Sequence, residues 1–328
     1  MTPGPGLQRI ILPQGFWASG INSGVRRYRP DVGVIISDAD CVAAGVFTLN
    51  QCKAAPVLYS QRILPSKKIR AVFTNSGQAN AATGQAGVDA NLQMAQETAR
   101  LLKVETEQVL MASTGVIGVV PQLDKILPSL PELMQRSGDT AESFALAILT
   151  TDLVPKTVTT TVDLSGGTIR ITGVAKGSGM IHPNMGTMLG YLLTDAQLTE
   201  EQADQMLKRT NDISFNMISV DGDTSTNDCV FLLANGTTGV SLRTHADEKA
   251  FEEALRGISQ FLAQSVARDG EGATKLLEVT IQGSPSLELA RRSARSITIS
   301  PLIKTAIHGA DPNWGRVLAR LGAEQVPA

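Results

Sequence analysis

Lys176-Gly177-Ser178-Gly179-Met180-Ile181-His182-Pro183-Asn184-Met185-Gly186-Thr187-Met188-Leu189 is the stretch on which the reading of this chain turns. It sets a threonine directly after a glycine, in a turn-rich segment, just ahead of an apolar run. A threonine hydroxyl is a weak nucleophile until a base stands beside it. A threonine that begins a chain always has one, its own α-amine. With a pKa of about 7.8 against about 10.4 for lysine, that amine is in part free base at neutral pH. If the Gly186–Thr187 bond is cut, Thr187 becomes such a residue. The glycine lowers steric resistance at the bond and tolerates a strained backbone.

Other readings of nearby motifs fail on their own terms. Lys176 to Gly179 has its lysine first and no Gly-Lys-Ser/Thr after it, so it is a tight turn and not a phosphate loop. Asp221-Gly222-Asp223-Thr224-Ser225-Thr226-Asn227-Asp228 invites a calcium loop, but positions six and twelve hold Thr226 and Leu232 in place of glycine and glutamate. It reads as a polar turn or site-lining loop. His182, His245 and His308 lack zinc-ligand spacing, so no metal site is expected. His182 is close enough in sequence to be weighed as a base for Thr187. No Gly-x-Ser-x-Gly elbow occurs. Ala112-Ser113-Thr114-Gly115-Val116-Ile117-Gly118 is rich in small residues and backbone donors. It fits a strand ending in a turn, and equally an oxyanion hole built from an N–H and the Thr114 hydroxyl.

Bulk properties narrow the class. The 328 residues are 42% hydrophobic, enough to bury a sizeable core, and the formal net charge is only −2. Aromatic residues make up 4%, too few for base-stacking platforms, and no basic run marks a nucleic-acid partner. No apolar run approaches a membrane span, and the N-terminus lacks the pattern of a signal peptide. Cys41, Cys52 and Cys229 form no CxxC pair, so buried free thiols and a cytoplasmic setting are expected.

Strand-like runs at Val34–Ile36, Ala44–Thr48 and Ala71–Thr74 alternate with helical stretches at Asp89–Leu102 and Thr140–Thr150. Val158, Thr160, Val162 and Leu164 share one strand face, Ser165-Gly166-Gly167 turns, and Ile169 and Ile171 return: a hairpin. Thr199 and Gln202 stand in capping-box spacing before a helix to Asn211. Asp247–Ala267 carries its apolar residues at clear helical spacing. Glu278–Ile281 and Ser296–Ser300 read as short strands. Together these predict a layered α+β (α/β) fold, with mostly antiparallel sheets sandwiched with helices.

Seven ordered motifs add a resemblance. They are Thr74 to Gly84, Ser113 to Gly118, Thr150-Thr151-Asp152 with Pro155-Lys156, Lys176 to Leu189, Asp221 to Asp228, Asp269 to Lys275, and His308 to Arg316. As a set they resemble the bifunctional ornithine acetyltransferase (glutamate N-acetyltransferase) family of arginine biosynthesis, over nearly the whole chain from about Gly15 to Arg316. The resemblance implies a precursor of the N-terminal-threonine-nucleophile type that cuts itself between Gly186 and Thr187. Residues 1–186 then form an α chain and 187–328 a β chain, in an α₂β₂ assembly. It implies Thr187 as nucleophile, Thr114 and Gly115 as oxyanion-hole pair, and Thr150, Lys176, Thr187 and Glu271 as substrate contacts. From charge, Lys176 suits a substrate carboxylate and Glu271 the δ-ammonium of ornithine. The implied reaction moves acetyl from N2-acetylornithine to glutamate through an acetyl-Thr187 ester, with no cofactor. Whether acetyl-coenzyme A also donates acetyl is left open.

Relatives often carry alanine at the position of Gly186 and cysteine at that of Ala82. Family members also run on beyond the position of Ala328, with strands that bring an asparagine and a hydroxyl residue to the substrate site. The sequence is therefore expected to be truncated relative to the family and to leave strand edges uncovered. Two rivals share the same residues: an amidohydrolase or aminopeptidase in which water is the acceptor, and an uncut, inactive remnant.

Overall fold

The structure, a computed structural model, describes residues 10–182 and 188–325. The expected cleavage bond Gly186–Thr187 lies outside them. Among the described residues, eight strands form one mixed sheet: β1 (Phe16–Ile21), β2 (Val32–Phe47), β3 (Ser66–Asn75), β4 (Val109–Ser113), β5 (Lys156–Leu164), β6 (Gly167–Lys176), β7 (Leu189–Thr194) and β8 (Cys229–Ala234). Their order is β4-β3-β2-β8-β7-β6-β5, with β1 beside β2. Only β3–β4 and β7–β8 pair in parallel, as the largely antiparallel expectation required. The predicted hairpin is β5–β6, closed at Leu164↔Gly167.

One strand turns this sheet into a sandwich. The sequence shows two runs, Val34–Ile36 and Ala44–Thr48, but the chain runs through both as β2. Its first part pairs with β1 through Ser37, and its second pairs with β8 from Val42. Between them the register against β3 shifts twice, at the bend. The two sheet halves thereby face each other. Ile35, Val72, Leu110 and Ala112 point inward from one half and meet Val174, Tyr191, Leu193, Phe231 and Leu233 from the other. The Tyr191 hydroxyl, buried between the layers, bonds the Thr74 hydroxyl at 2.8 Å.

Because side chains alternate along a strand, the outer faces are apolar too and need cover. Val34, Ala71, Phe73, Val109 and Met111 pack under α2 (Gly84–Leu102) and α3 (Leu123–Gln135). Ile171, Ala175, Leu192, Val230 and Leu232 pack under α5 (Glu200–Asp212) and α6 (His245–Arg268). The layers run helix, sheet, sheet, helix. Between α3 and α5, the short α4 (Glu142–Ala147) packs on β1 and sets Phe144 edge-on to Tyr191, with ring centroids 4.9 Å apart. Helix α1 (Ala55–Ile63) packs on β4. Beyond α6, three helices complete the described chain: α7 (Leu287–Ile299), α8 (Pro301–His308) and α9 (Trp314–Ala323).

Three local expectations need correction. Thr140–Thr150 is helical only over α4. Glu278–Ile281 has no regular structure. Ser296–Ser300 ends helix α7, whose start is fixed by Ser286 accepting the Leu289 N–H; the short alternating window hid the helical spacing upstream. Cys41 and Cys229 are buried as expected, but Cys52 is exposed. No described helix is long and apolar enough to cross a membrane.

Candidate active site

The oxyanion-hole candidates follow directly from β4. After Ser113, the Thr114 N–H donates to the Asn75 carbonyl at 2.9 Å, and the Val116 N–H to the Gly77 carbonyl at 3.2 Å. Between them Gly115 has φ +122°, and a Cβ there would stand 2.5 Å from the Gly77 oxygen. Only glycine fits. The Gly115 N–H makes no hydrogen bond to another described residue, and Gly115 is an exposed residue. Thr114 beside it is buried.

Lys176 ends β6 on the opposite sheet half and reaches across. Its Nζ lies 3.3 Å from Thr114 Oγ1, with the lysine 2% exposed. Asp152 Oδ2 is 4.0 Å from the same ammonium. Burial pushes the Lys176 pKa down, opposed by Asp152, Asp228 and Glu271. For Asp152 burial alone would raise the pKa. Lys176, Lys156 and the Gly177 N–H outweigh that and hold the carboxyl below its ordinary range. Asp152 accepts from Lys156 Nζ at 2.8 Å, the Gly177 N–H at 2.7 Å and the Thr150 N–H at 3.1 Å. Lys156 continues to Asp269 at 2.6 Å. Two lysines and two carboxylates thus form one buried chain, each charge partnered as burial demands.

Both flanks of the segment carrying Thr187 are fastened by carboxylates. Asp221 accepts the Ile181 N–H at 3.0 Å, and Asp228 accepts the Met188 N–H at 2.8 Å. Leu189 pairs in register with Lys176. The chain therefore enters β7, after Met188, at the strand end where Lys176 meets Thr114.

The remaining expected contacts surround this point. Thr150 is half-buried on the loop that carries Asp152, its N–H on that carboxylate. Glu271 is exposed; its N–H donates to the Ser178 carbonyl at 3.0 Å, and its carboxylate fills the space beside Gly179. It stands at the rim of a cleft of about 540 Å³ that Arg295, Lys304 and His308 also line. The Lys176 ammonium, expected to meet a substrate carboxylate, lies against Thr114 and Asp152. His182 Nδ1 pairs with Ser219 Oγ at 3.3 Å, and burial, with Arg295, pushes its pKa down.

Sequence reasoning missed Asp152, Lys156, Asp269, Asn227 and Asp228. The first two stand four apart inside a motif read only for Thr150. Asp269 begins the motif read only for Glu271.

A four-layer sandwich with a buried lysine, a threonine hydroxyl and a glycine turn meeting at the entry to a central strand defines an acyl-transfer enzyme of the N-terminal-nucleophile class. The ArgJ family profile matches residues 17–328. The arginine biosynthesis bifunctional protein ArgJ of Dehalococcoides mccartyi is 47% identical over 95% of this chain and 78% of its own. That of Thermotoga neapolitana is 45% identical over 95% and 80%. The chain belongs to the ArgJ family and is an acyltransferase of arginine biosynthesis. Among solved structures, ornithine acetyltransferase from Mycobacterium tuberculosis, complexed with ornithine, matches at TM-score 0.50 and 36% identity, over 54% of this chain and 95% of that one. A Burkholderia β-aminopeptidase matches at TM-score 0.52 over 82% and 90%; at 14% identity it shares the fold alone.

Proposed function

We propose that this chain transfers acetyl from N2-acetylornithine to glutamate through an ester on Thr187, after cutting itself at Gly186–Thr187. The observation that carries the reading is the meeting of Thr114 and Lys176 at the end of β6, where the chain enters β7 two residues after Thr187. In self-cleavage the Thr187 hydroxyl oxygen attacks the Gly186 carbonyl carbon, and its proton passes to the departing Thr187 nitrogen. The peptide bond becomes an ester and the Thr187 α-amine is freed; water then hydrolyses the ester, releasing the Gly186 carboxylate and the Thr187 hydroxyl.

That amine serves as general base in turnover. It takes the hydroxyl proton as Oγ attacks the acetyl carbonyl of N2-acetylornithine, and returns it to the leaving α-nitrogen of ornithine. In the second half of the cycle the glutamate α-amine attacks the acetyl-Thr187 ester, Oγ departs and takes up the amine's proton through the Thr187 α-amine, and N-acetylglutamate leaves. Each half passes through a tetrahedral oxyanion. The Gly115 N–H and the Thr114 hydroxyl are the donors for it, and Lys176, with its ammonium on the Thr114 oxygen, polarises that hydroxyl. Glu271, exposed beside Gly179, meets the ornithine δ-ammonium.

The test supplies N2-acetylornithine labelled in its acetyl group and follows the label by peptide mass. The expected result is an acetylated Thr187 peptide that loses its label to glutamate, and no label on a Thr187→Ala variant. Label passing only to acetate would make the enzyme a hydrolase. Label on another residue would move the nucleophile. Acetyl-coenzyme A supplied in the same assay shows whether it is a second donor.

A further inference from the structure

Asn227 and Asp228 close the acidic motif that failed as a calcium loop, and the mechanism above does not use them. Both are buried, 3% and 0% exposed. Adjacent in sequence, their side chains serve two different strands. Asn227 Nδ2 donates to the Ser113 carbonyl at 2.8 Å and the Ala79 carbonyl at 2.6 Å. Asp228 Oδ1 accepts the Met188 N–H at 2.8 Å. The backbone between is itself pinned. The Asn227 N–H donates to Ser225 Oγ at 3.0 Å, and the Asp228 carbonyl accepts the Thr48 N–H at 3.0 Å.

The two grips fall at telling places. Ser113 is the residue before Thr114, and Met188 is the residue after Thr187. One dipeptide thus holds the last carbonyl ahead of the oxyanion donors and the first amide beyond the nucleophile. We propose that Asn227–Asp228 is a positioning clamp that sets the spacing between Thr187 and the Thr114–Gly115 pair. The proposal rests on Thr187 being the nucleophile. Spacing is worth holding at such expense, because a misplacement of about 1 Å costs on the order of 100-fold in rate. A buried carboxyl is a costly way to hold one amide. Asp228 Oδ2 makes no hydrogen bond among the described residues. Burial pushes this carboxyl well above its ordinary range, against the Met188 N–H and Lys176. With one oxygen on the Met188 N–H, what the clamp needs from Asp228 is an acceptor, which an amide also supplies.

The test compares Asp228→Asn, Asp228→Ala and Asn227→Ala with the unaltered chain and with Thr187→Ala. It measures the self-cleavage rate by intact mass, kcat and KM per cleaved molecule, and the melting temperature of any uncut chain. Asp228→Ala and Asn227→Ala are expected to slow self-cleavage and to lower kcat about 100-fold, with KM within about threefold. Uncut Asp228→Ala should melt with Thr187→Ala, which shows a folded precursor. Asp228→Asn should keep both rates within about threefold. The clamp is overturned if Asp228→Ala cuts and turns over normally, or if Asp228→Asn fails as badly as Asp228→Ala. A loss confined to KM overturns it too. An active, cleaved Thr187→Ala chain would instead remove the nucleophile, so the two failures are told apart.

Discussion

At the scale of the residue, the site is a problem in burying charge. Lys156, Lys176 and Asp152 are each no more than 2% exposed, and their charges survive only because they share one chain of contacts. Breaking a buried pair by removing one partner costs about 3–5 kcal/mol, since the other charge is left uncompensated. Asp152 serves two lysines, so Asp152→Ala is predicted to lose at least that much. Urea unfolding in a Thr187→Ala background, where the chain stays single, measures it. Asp228 gives a pH signature in the same background. Its pKa is raised on folding, so between the ordinary carboxylate value and the raised one the folded state binds the extra proton. Stability from this group is therefore complete at low pH and is lost as pH rises through that window. Asp228→Asn has no such proton. Its urea midpoint relative to Asp228 should rise from pH 5 to pH 8; a constant difference would mean the carboxyl is ionised throughout.

At the scale of the element, the turn after β4 is the most constrained piece of the site. Gly115→Ala adds a methyl within 2.5 Å of a backbone oxygen at a φ that L-residues avoid. It is predicted to displace the 115 N–H and to lower kcat by about 100- to 1,000-fold, the cost of one oxyanion donor. Steady-state kinetics with an unchanged cleavage pattern would check it, and near-normal kcat would remove Gly115 from the hole. Elements were legible where sequence periodicity was long or capped. The β5–β6 hairpin, the Thr199–Gln202 capping box and the apolar face of α6 all read directly. They were illegible where the decisive contact was remote. The bend in β2 depends on β1 and β8 taking different halves of its edge, and nothing in Ser37 to Cys41 announces that. Thr114 and Gly115 were legible as a small-residue turn. Asp152, Asn227 and Asp228 were not legible, because the partners that tie them to the site, Gly177, Ser113, Ala79 and Met188, lie 25 to 148 positions away.

At the scale of the whole molecule, the spans 1–186 and 187–328 interleave. Strand β7 pairs with β6, and β8 with β2, so the sheet crosses the expected cut twice. Lys156 joins Asp269 across it as well. Two chains released by cleavage should elute together in native size exclusion and part only in denaturant; separation without denaturant would refute this topology. The proposed chemistry rests on one covalent event, the cut before Thr187. The most direct measurement is the intact mass of the purified protein under denaturing conditions, with N-terminal sequencing of each species. The account predicts two chains, one beginning at Thr187. A single uncut chain in soluble, folded protein, or a cut at any other bond, would contradict it.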